Sequence, residues 1–260
     1  MGNEATGIGT LNVEDDGKGD GTVVWVHAFP LDSRMWSAQV EGLPGWRHLR
    51  PDLPGFGRST PTVDVLAMDQ TADAVVELLE MRGLERAVFA GCSMGGYVLL
   101  ALCSRHLARV RGLVLIDTKA EADGPEAKAN REAFAKKVLA EGPGAARDAL
   151  LPKLLARPEG PAADRVARMI LEATPQGIAA AQRGMAARAD STGLLPRIAA
   201  PTLVLVGEKD ALTPPELSEK MAAAIPGARK IVIPGSGHLP PIEAPQPTTA
   251  AIREFLASLR

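Results

Sequence analysis

A serine flanked by glycines is the first candidate for chemistry in this chain. It lies in the stretch Gly91-Cys-Ser-Met-Gly-Gly96, with one glycine two residues before it and another two residues after it. This spacing, G-x-S-x-G, is typical of a sharp turn from a strand into a helix that exposes the serine hydroxyl at its tip. A serine hydroxyl becomes a nucleophile at neutral pH when a base accepts its proton and an acid orients that base. Ser93 is therefore a candidate nucleophile that needs two partners.

Histidine is the usual base in such a site, and the chain has four histidines. His48 and His106 are interpreted as surface residues, the first in an arginine-containing run and the second on the helix after the turn. His27 lies in a loop after an early strand and is expected to shape that loop. His238 follows Gly235-Ser-Gly, just past a predicted strand near the C-terminal end, and is the predicted base.

Two aspartates between Ser93 and His238 directly follow predicted strands. Asp210 ends the stretch Val-Gly-Glu-Lys-Asp, and Asp117 ends Leu-Ile-Asp. Both are expected at the carboxyl edge of a parallel sheet, where the active sites of open α/β sheets lie. Asp210 is the preferred acid, which would hold the imidazole tautomer and stabilise the imidazolium. Asp117 is the alternative, and its other interpretation is a structural carboxylate where the next segment begins.

Two backbone N–H groups are the predicted donors to an oxyanion. One belongs to the residue after the nucleophile, which is Met94. The other comes from a loop after an early strand, here His27-Ala-Phe-Pro, in which Phe29 is the candidate because Pro30 has no N–H.

Short apolar runs bounded by Gly, Pro or Asp indicate buried strands. These runs lie at 22–27, 87–90, 112–116, 202–206 and 230–233. Segments of helical spacing separate them, at 68–81, 95–107, 214–225 and 246–259. Strands that alternate with helices predict an α/β fold with a mostly parallel, doubly wound sheet that is covered on both faces.

One long segment, residues 119–195, interrupts this alternation because it contains no convincing strand. Gly and Pro divide it near 142–144, 158–161 and 175–177. So long a stretch is unusual for a loop between core strands. It is predicted to be a helical cap, or lid, inserted after the sixth strand, with residues 1–118 and 196–260 forming the core.

The cap carries apolar residues that predict one helical face, which either packs on the core or lines the pocket. They are Met169, Ile170, Leu171, Ile178 and Met185. Its arginines are interpreted as a solvated face. They are Arg165, Arg168, Arg183 and Arg188. Among aromatic residues near the motifs, Trp36, Phe56 and Tyr97 are predicted to belong to the core, whereas Phe29 belongs equally well to the core or the pocket wall.

Composition disfavours several classes of function. The formal net charge of −2 provides no basic surface for nucleic acid, and no apolar run predicts a transmembrane helix. No signal peptide is expected from the N-terminal residues. Cys92 and Cys103 are too few for a disulfide framework, so a reducing, cytoplasmic setting is expected. No zinc spacing, G-x-G-x-x-G or Walker loop occurs, so neither a metal nor an organic cofactor is expected.

Taken together, the motifs resemble those of α/β-hydrolases of the serine esterase and lactonase type. The blocks that carry the resemblance are His27-Ala-Phe-Pro, Asp52-Leu-Pro-Gly-Phe-Gly-Arg-Ser, Gly91-Cys-Ser-Met-Gly-Gly, and the pair Gly-Glu-Lys-Asp210 and Gly-Ser-Gly-His238. They span residues 22–243 in the order that the family shows. The resemblance implies that the second block shapes a loop near the pocket. The family usually has glycine where this chain has Ala28.

These observations predict a serine hydrolase that cleaves carboxylic esters or lactones of small, largely apolar substrates through an acyl-enzyme. Its partner is expected to be such a small molecule, with neither nucleic acid nor membrane. Hydrolysis of C–C bonds, cofactor-free perhydrolysis or haloperoxidation, and acyl transfer stay open because they use the same three residues. A non-catalytic binding module on this fold is the less favoured alternative, since all three residues are present.

Overall fold

One sheet of eight strands organises the protein, as seen in a computed structural model that describes residues 2–19, 21–61 and 63–259. The bounds at residues 1 and 260 that we predict for the core lie outside these ranges. The strands are β1 (Gly2–Thr6), β2 (Gly9–Asp16), β3 (Thr22–Val26), β4 (Arg47–Pro51), β5 (Ala87–Cys92), β6 (Val110–Ile116), β7 (Thr202–Gly207) and β8 (Arg229–Ile233). Their order across the sheet is β1-β2-β4-β3-β5-β6-β7-β8.

The sheet is parallel from β4 to β8, whereas β2 pairs antiparallel with both of its neighbours, β1 and β4. Every residue of β3, β5 and β7 is buried, as expected for central parallel strands that are covered on both faces. The mostly parallel, doubly wound sheet is thus confirmed. Strands β1, β2 and β4 were absent from the sequence prediction because they carry polar and charged residues.

Ten helices lie in the described part of the chain. They are α1 (Ser37–Gly42), α2 (Met68–Glu80), α3 (Met94–His106), α4 (Pro125–Glu141), α5 (Pro143–Leu154), α6 (Pro161–Glu172), α7 (Pro175–Ala187), α8 (Pro215–Ala224), α9 (Pro240–Glu243) and α10 (Pro245–Ala257). Helix α2 packs against α3, and α1 packs against α10. Among the described residues, no helix combines the length and the apolar character needed to cross a membrane.

Helices α4 to α7 lie between β6 and β7, in the segment 119–195 that we call the helical insertion. Each of the four begins with a proline, which suits the first position of a helix because the N–H that proline lacks would have no partner there. The helix boundaries fall where Gly and Pro divide the sequence, and the insertion contains no strand, as predicted. Within it, α4 packs along α7.

Candidate active site

Ser93 lies at the junction of β5 and α3, where the backbone makes the turn that the sequence predicts. Its φ of +52° falls in a region that side-chain-bearing residues rarely adopt. Two glycines permit this turn because other backbone atoms approach too closely for a side chain. A Cβ on Gly95 would lie 2.2 Å from the carbonyl oxygen of Val26, and one on Gly91 would lie 2.6 Å from the carbonyl carbon of Gly95. The turn places Ser93 on the wall of a cavity.

The structure brings Ser93, His238 and Asp210 together. The Oγ of Ser93 is 2.8 Å from Nε2 of His238, and Nδ1 of the same ring is 2.8 Å from Oδ2 of Asp210. The three residues follow β5, β8 and β7, which end at the same edge of the sheet. This is the geometry in which a carboxylate fixes the imidazole and the imidazole can accept the serine proton.

Asp210 is held in place by its own loop. Its Oδ1 accepts the N–H groups of Leu212, at 2.8 Å, and Thr213, at 3.1 Å, while the Thr213 hydroxyl donates to Oδ2 at 2.5 Å. Burial raises the pKa of Asp210, but the His238 ring and the surrounding donors outweigh it, so the pKa lies well below its ordinary value. Asp210 is therefore an ionised acceptor at neutral pH.

The loop that carries His238 is held by hydrogen bonds to three neighbouring elements. The His238 N–H donates to the carbonyl of Leu154 at 3.0 Å, and the Cys92 thiol lies 3.7 Å from the His238 carbonyl, to which it donates. Glu243 accepts the N–H of the preceding residue, Gly237, at 2.9 Å. The imidazole is thus positioned by α5, by β5 and by the short helix α9.

Asp117, the alternative acid from the sequence, occupies a different position in this arrangement. Its side chain is fully buried, its Oδ1 accepts the Gly207 N–H at 2.9 Å, and its φ is +43°. Burial, together with the charge of Asp210, raises the pKa of Asp117 well above its ordinary value. Asp117 is therefore a neutral carboxyl behind the Asp210–His238 pair, and it makes no hydrogen bond to His238.

Asp117, Asp210 and His238 are close enough for metal binding, since one ligand atom from each lies within 4.8 Å of the others. However, Nδ1 of His238 and Oδ2 of Asp210 are already joined by a hydrogen bond. A cation here would have to replace the bond that orients the imidazole. The geometry therefore suits a chain of hydrogen bonds better than a metal centre.

Phe29 and Met94, the predicted oxyanion donors, both lie beside Ser93. Phe29 shares the cavity wall with Ser93, and Met94 is the first residue of α3. Within the described chain, neither backbone N–H donates to a protein acceptor. Ala28, which stands where the family usually has glycine, is buried, and its N–H lies 3.2 Å from the sulfur of Met35. The loop thus accommodates the extra methyl group.

His27 shapes this loop, as its position in the sequence predicts. Its Nε2 accepts the N–H of Leu53 at 3.0 Å, so the proton is on Nδ1, which donates to the carbonyl of Ala28 at 3.0 Å. Burial lowers the pKa of His27, which keeps the ring neutral. Asp52, from the second sequence block, accepts the Ser33 N–H at 2.9 Å and the Asn12 side-chain amide at 3.0 Å. The block is thus part of the loop scaffold.

The prediction that His48 lies on the surface was wrong. His48 is on β4, inside the sheet, where it accepts the indole N–H of Trp25 at 3.1 Å and donates to the carbonyl of Leu43 at 3.1 Å. The error follows from missing β4, because alternate side chains of an inner strand point into the core. His106 is partly exposed on α3, 2.6 Å from Asp73.

The cavity beside Ser93 has a volume of about 180 Å³. Its apolar wall comprises Phe29, Leu150, Leu154, Met185 and Leu212, and its polar wall comprises Lys119, Arg131 and Gln182. Tyr97, predicted to belong to the core, is buried but also lines this cavity. A larger cavity of about 670 Å³ adjoins it and shares Tyr97 and Lys119.

Two predictions about the insertion were wrong at single positions. Leu171 is 41% exposed, whereas the other four apolar residues are buried. Arg188 is 8% exposed, and its guanidinium lies 4.1 Å from the centroid of the Tyr97 ring. It is therefore not part of a solvated face. Neither Lys119 nor Arg131 was singled out from the sequence, because spacing along the chain gives no sign that they face the same cavity.

The chain belongs to the alpha/beta hydrolase fold family, whose sequence profile matches residues 21–245. It is 30% identical, over 248 residues, to the pimeloyl-[acyl-carrier protein] methyl ester esterase of Neisseria meningitidis serogroup C, covering 90% of this chain and 93% of that protein. The structure of a thermophilic esterase from Thermogutta terrifontis with malate bound superposes with a TM-score of 0.92 at 45% identity, covering 96% of this chain and 94% of that one. The enol-lactonase of Burkholderia xenovorans gives a TM-score of 0.90 at 29% identity, covering 98% and 100%. The resemblance inferred from the motifs is confirmed.

Proposed function

We propose that this protein is a serine hydrolase that cleaves small carboxylic esters or lactones through an acyl-enzyme. The observation that carries the proposal is the continuous chain of hydrogen bonds from Ser93 Oγ through His238 to Asp210, with 2.8 Å at each step. The esterase and enol-lactonase activities of the similar proteins support the same reaction class. Phe29 and Met94 are proposed as the oxyanion donors.

In the first half of the reaction, Ser93 Oγ attacks the acyl carbon while its proton moves to His238 Nε2. Asp210 keeps the other proton on Nδ1 and stabilises the imidazolium that forms. The N–H groups of Phe29 and Met94 donate to the developing oxyanion, and each such donor is worth about 3–4 kcal/mol in related enzymes. The imidazolium then returns the proton to the leaving alcohol.

The second half repeats these steps with water in place of the serine. His238 accepts a proton from water, which attacks the acyl carbon of the ester formed with Ser93. Collapse of the second tetrahedral intermediate returns the proton to Ser93 Oγ and releases the acid. In a lactone, the leaving alcohol stays attached to the acyl chain, so one product leaves after the second half.

The helical insertion is proposed to act as a cap over this site, on a core formed by residues 1–118 and 196–260. Residues of the insertion, including Leu150, Leu154 and Met185, contribute to the cavity wall beside Ser93. Both cysteines, Cys92 and Cys103, are unbonded and buried, which agrees with the expected reducing, cytoplasmic setting.

Labelling with a fluorophosphonate, followed by mass spectrometry of the adduct, tests the proposal. We expect one adduct on Ser93, and we expect Ser93→Ala to abolish both labelling and hydrolysis of 4-nitrophenyl butyrate. Ser104→Ala removes an exposed hydroxyl from the same helix, α3, and serves as the matched control. Equal labelling of Ser93→Ala and the wild type would rule out the proposed nucleophile.

Product analysis separates the remaining reaction classes. The acid released from an ester or lactone is expected in water alone and in the presence of hydrogen peroxide or an added alcohol. A peracid formed with peroxide, or a new ester formed with the alcohol, in excess over the free acid would instead indicate perhydrolysis or acyl transfer.

A further inference from the structure

An unusual concentration of positive charge surrounds Asp123 in the helical insertion. Asp123 has a side chain only 2% exposed and pairs with three cations. Its Oδ1 lies 2.8 Å from Arg188 and 3.5 Å from Lys119, and its Oδ2 pairs with Arg131. We call these four residues the Asp123 cluster. One carboxylate facing three cations leaves the cluster with excess positive charge.

A second carboxylate, that of Asp190, forms no ion pair with the cluster among the described residues. Asp190 interacts electrostatically with Arg188, but it is exposed and accepts the N–H groups of Ala122, at 3.0 Å, and Thr192, at 2.9 Å. Inside the cluster, the Nε of Arg188 is buried and has no partner among the described residues. A buried donor without a partner is costly, and one carboxylate does not balance three cations, so a bound anion would stabilise the arrangement.

Two members of the cluster, Lys119 and Arg131, also face the cavity that contains Ser93 and His238. Gln182 stands beside them, and its side-chain oxygen accepts from Arg131 at 3.0 Å, which leaves its amide N–H groups available to donate. An ammonium, a guanidinium and an amide are donors that suit a carboxylate. The same cavity therefore combines a candidate nucleophile with a separate set of donors for an anion.

We infer that the ester or lactone hydrolysed at this site carries a free carboxylate, which Lys119, Arg131 and Gln182 bind while Ser93 attacks the acyl carbon. This inference rests on the proposed function and defines its substrate class. The cavity volume of about 180 Å³ is small, which suits a short chain between the two ends. The apolar wall of Leu150, Leu154 and Met185 contacts that chain.

Two matched pairs of substrates test the inference. Monoethyl glutarate is compared with ethyl 5-methylhexanoate, and 4-acetoxybutanoate with 4-methylpentyl acetate, so that in each pair an isopropyl group replaces the carboxylate. The measured quantity is the ratio of kcat/KM for the anion to kcat/KM for its neutral partner, followed in a pH-stat. We expect a ratio above about ten in at least one pair, because charge-assisted hydrogen bonds contribute that much or more. The ratio should fall as ionic strength rises.

Arg131→Met and Lys119→Met should each lower this ratio about tenfold, and Arg131→Lys should restore part of it. Lys128→Met removes one exposed positive charge from the same helix, α4, and should leave the ratio unchanged. In case a variant does not fold, competitive inhibition of the wild type by glutarate is measured as well. We expect inhibition that weakens with salt, and none by the uncharged diol 1,5-pentanediol.

Ratios near one in both pairs, or ratios unchanged in both variants, would overturn the inference. The same would follow from equal inhibition by glutarate and the diol. These outcomes are distinct from failure of the proposed function, because hydrolysis of the neutral esters and labelling of Ser93 are measured independently. If neutral esters are hydrolysed without any preference for the anionic substrates, the proposed serine hydrolase activity is supported and the proposed carboxylate site is overturned.

Discussion

Replacing Asp117 by asparagine is predicted to stabilise the protein at neutral pH. The Asp117 carboxyl is fully buried, and a ligand atom of Asp210 lies within 4.8 Å of it. Two charges at that separation would repel by about 3.5 kcal/mol at an effective dielectric constant of 20. Since Asp210 is ionised, burial and this repulsion raise the pKa of Asp117 and keep its proton in place. Asparagine has the same shape, accepts the Gly207 N–H and donates toward Asp210, but it does not titrate.

The size of this stabilisation follows from the proton that Asp117 of the wild type releases on unfolding. An unfolded aspartate has a pKa of about 3.9, and each pH unit above this value costs the wild type about 1.4 kcal/mol while the folded carboxyl stays protonated. The folded state binds the extra proton, so the unfolding free energy of the wild type falls as pH rises through this window. At pH 7, Asp117→Asn should therefore be more stable by up to about 4 kcal/mol, and the advantage should vanish near pH 4.

Urea unfolding followed by tryptophan fluorescence measures this difference at pH 5, 6 and 7. We expect the gap between Asp117→Asn and the wild type to widen by about 1.4 kcal/mol per pH unit. Asp190→Asn is the matched control, because hydrogen bonds from Thr192 and Ala122 lower the pKa of that exposed carboxylate. Its effect should be constant over the same range. If the difference in unfolding free energy between Asp117→Asn and the wild type were also constant over this range, Asp117 would not be a neutral carboxyl in the folded protein.

Three further predictions concern the site and its support. Asp210→Asn should lower kcat for ester hydrolysis about 10⁴-fold, and a loss below tenfold in steady-state kinetics would argue against its orienting role. Gly95→Ala should destabilise the protein by about 3 kcal/mol or prevent folding, because the new methyl group would lie 2.2 Å from the Val26 oxygen; an unchanged unfolding midpoint would contradict this. Asp123→Asn should cost about 3 kcal/mol at pH 7 in urea unfolding. Its arginine partners outweigh burial and lower the pKa of Asp123, so this cost should shrink once the pH falls below the pKa of an unfolded aspartate and vanish only below the lower pKa of the folded state; a cost equal at pH 7 and pH 3 would contradict it.

The three proposed catalytic residues, which the structure brings together, could be singled out from the sequence because each stands close to a strong local signal. Ser93 lies between two glycines, and Asp210 and His238 closely follow apolar runs that end at the same edge of the sheet. In a parallel sheet, residues that follow the carboxyl ends of neighbouring strands lie close together, whatever the length of the segments that connect the strands. Local pattern was therefore sufficient to predict that these three side chains meet, and their roles as nucleophile, acid and base stay predictions.

The features that the sequence did not predict, strand β4 and the burial of Arg188, depend on partners far away in the sequence. Strand β4 contains Arg47 and Arg50, which pair across the sheet with Asp15, at 2.7 Å, and Glu14, at 2.5 Å. These charged residues hide the apolar pattern by which a strand is predicted. Only the pairing with β2, which is distant in the sequence, explains why they can lie in a strand. Arg188 appeared solvated for the same reason, since the carboxylate that pairs with it, Asp123, is 65 residues earlier in the chain.

The two ends of the helical insertion meet at a narrow neck. Ser191 donates its N–H to the carbonyl of Ala120 at 2.9 Å, and Arg188 donates to the carbonyl of Glu121 at 2.9 Å. A segment whose two ends meet at one point can be exchanged as a single unit between β6 and β7. Transplanting residues 119–195 between members of the family is therefore expected to exchange the walls of the cavity together with the Leu154 carbonyl that accepts the His238 N–H.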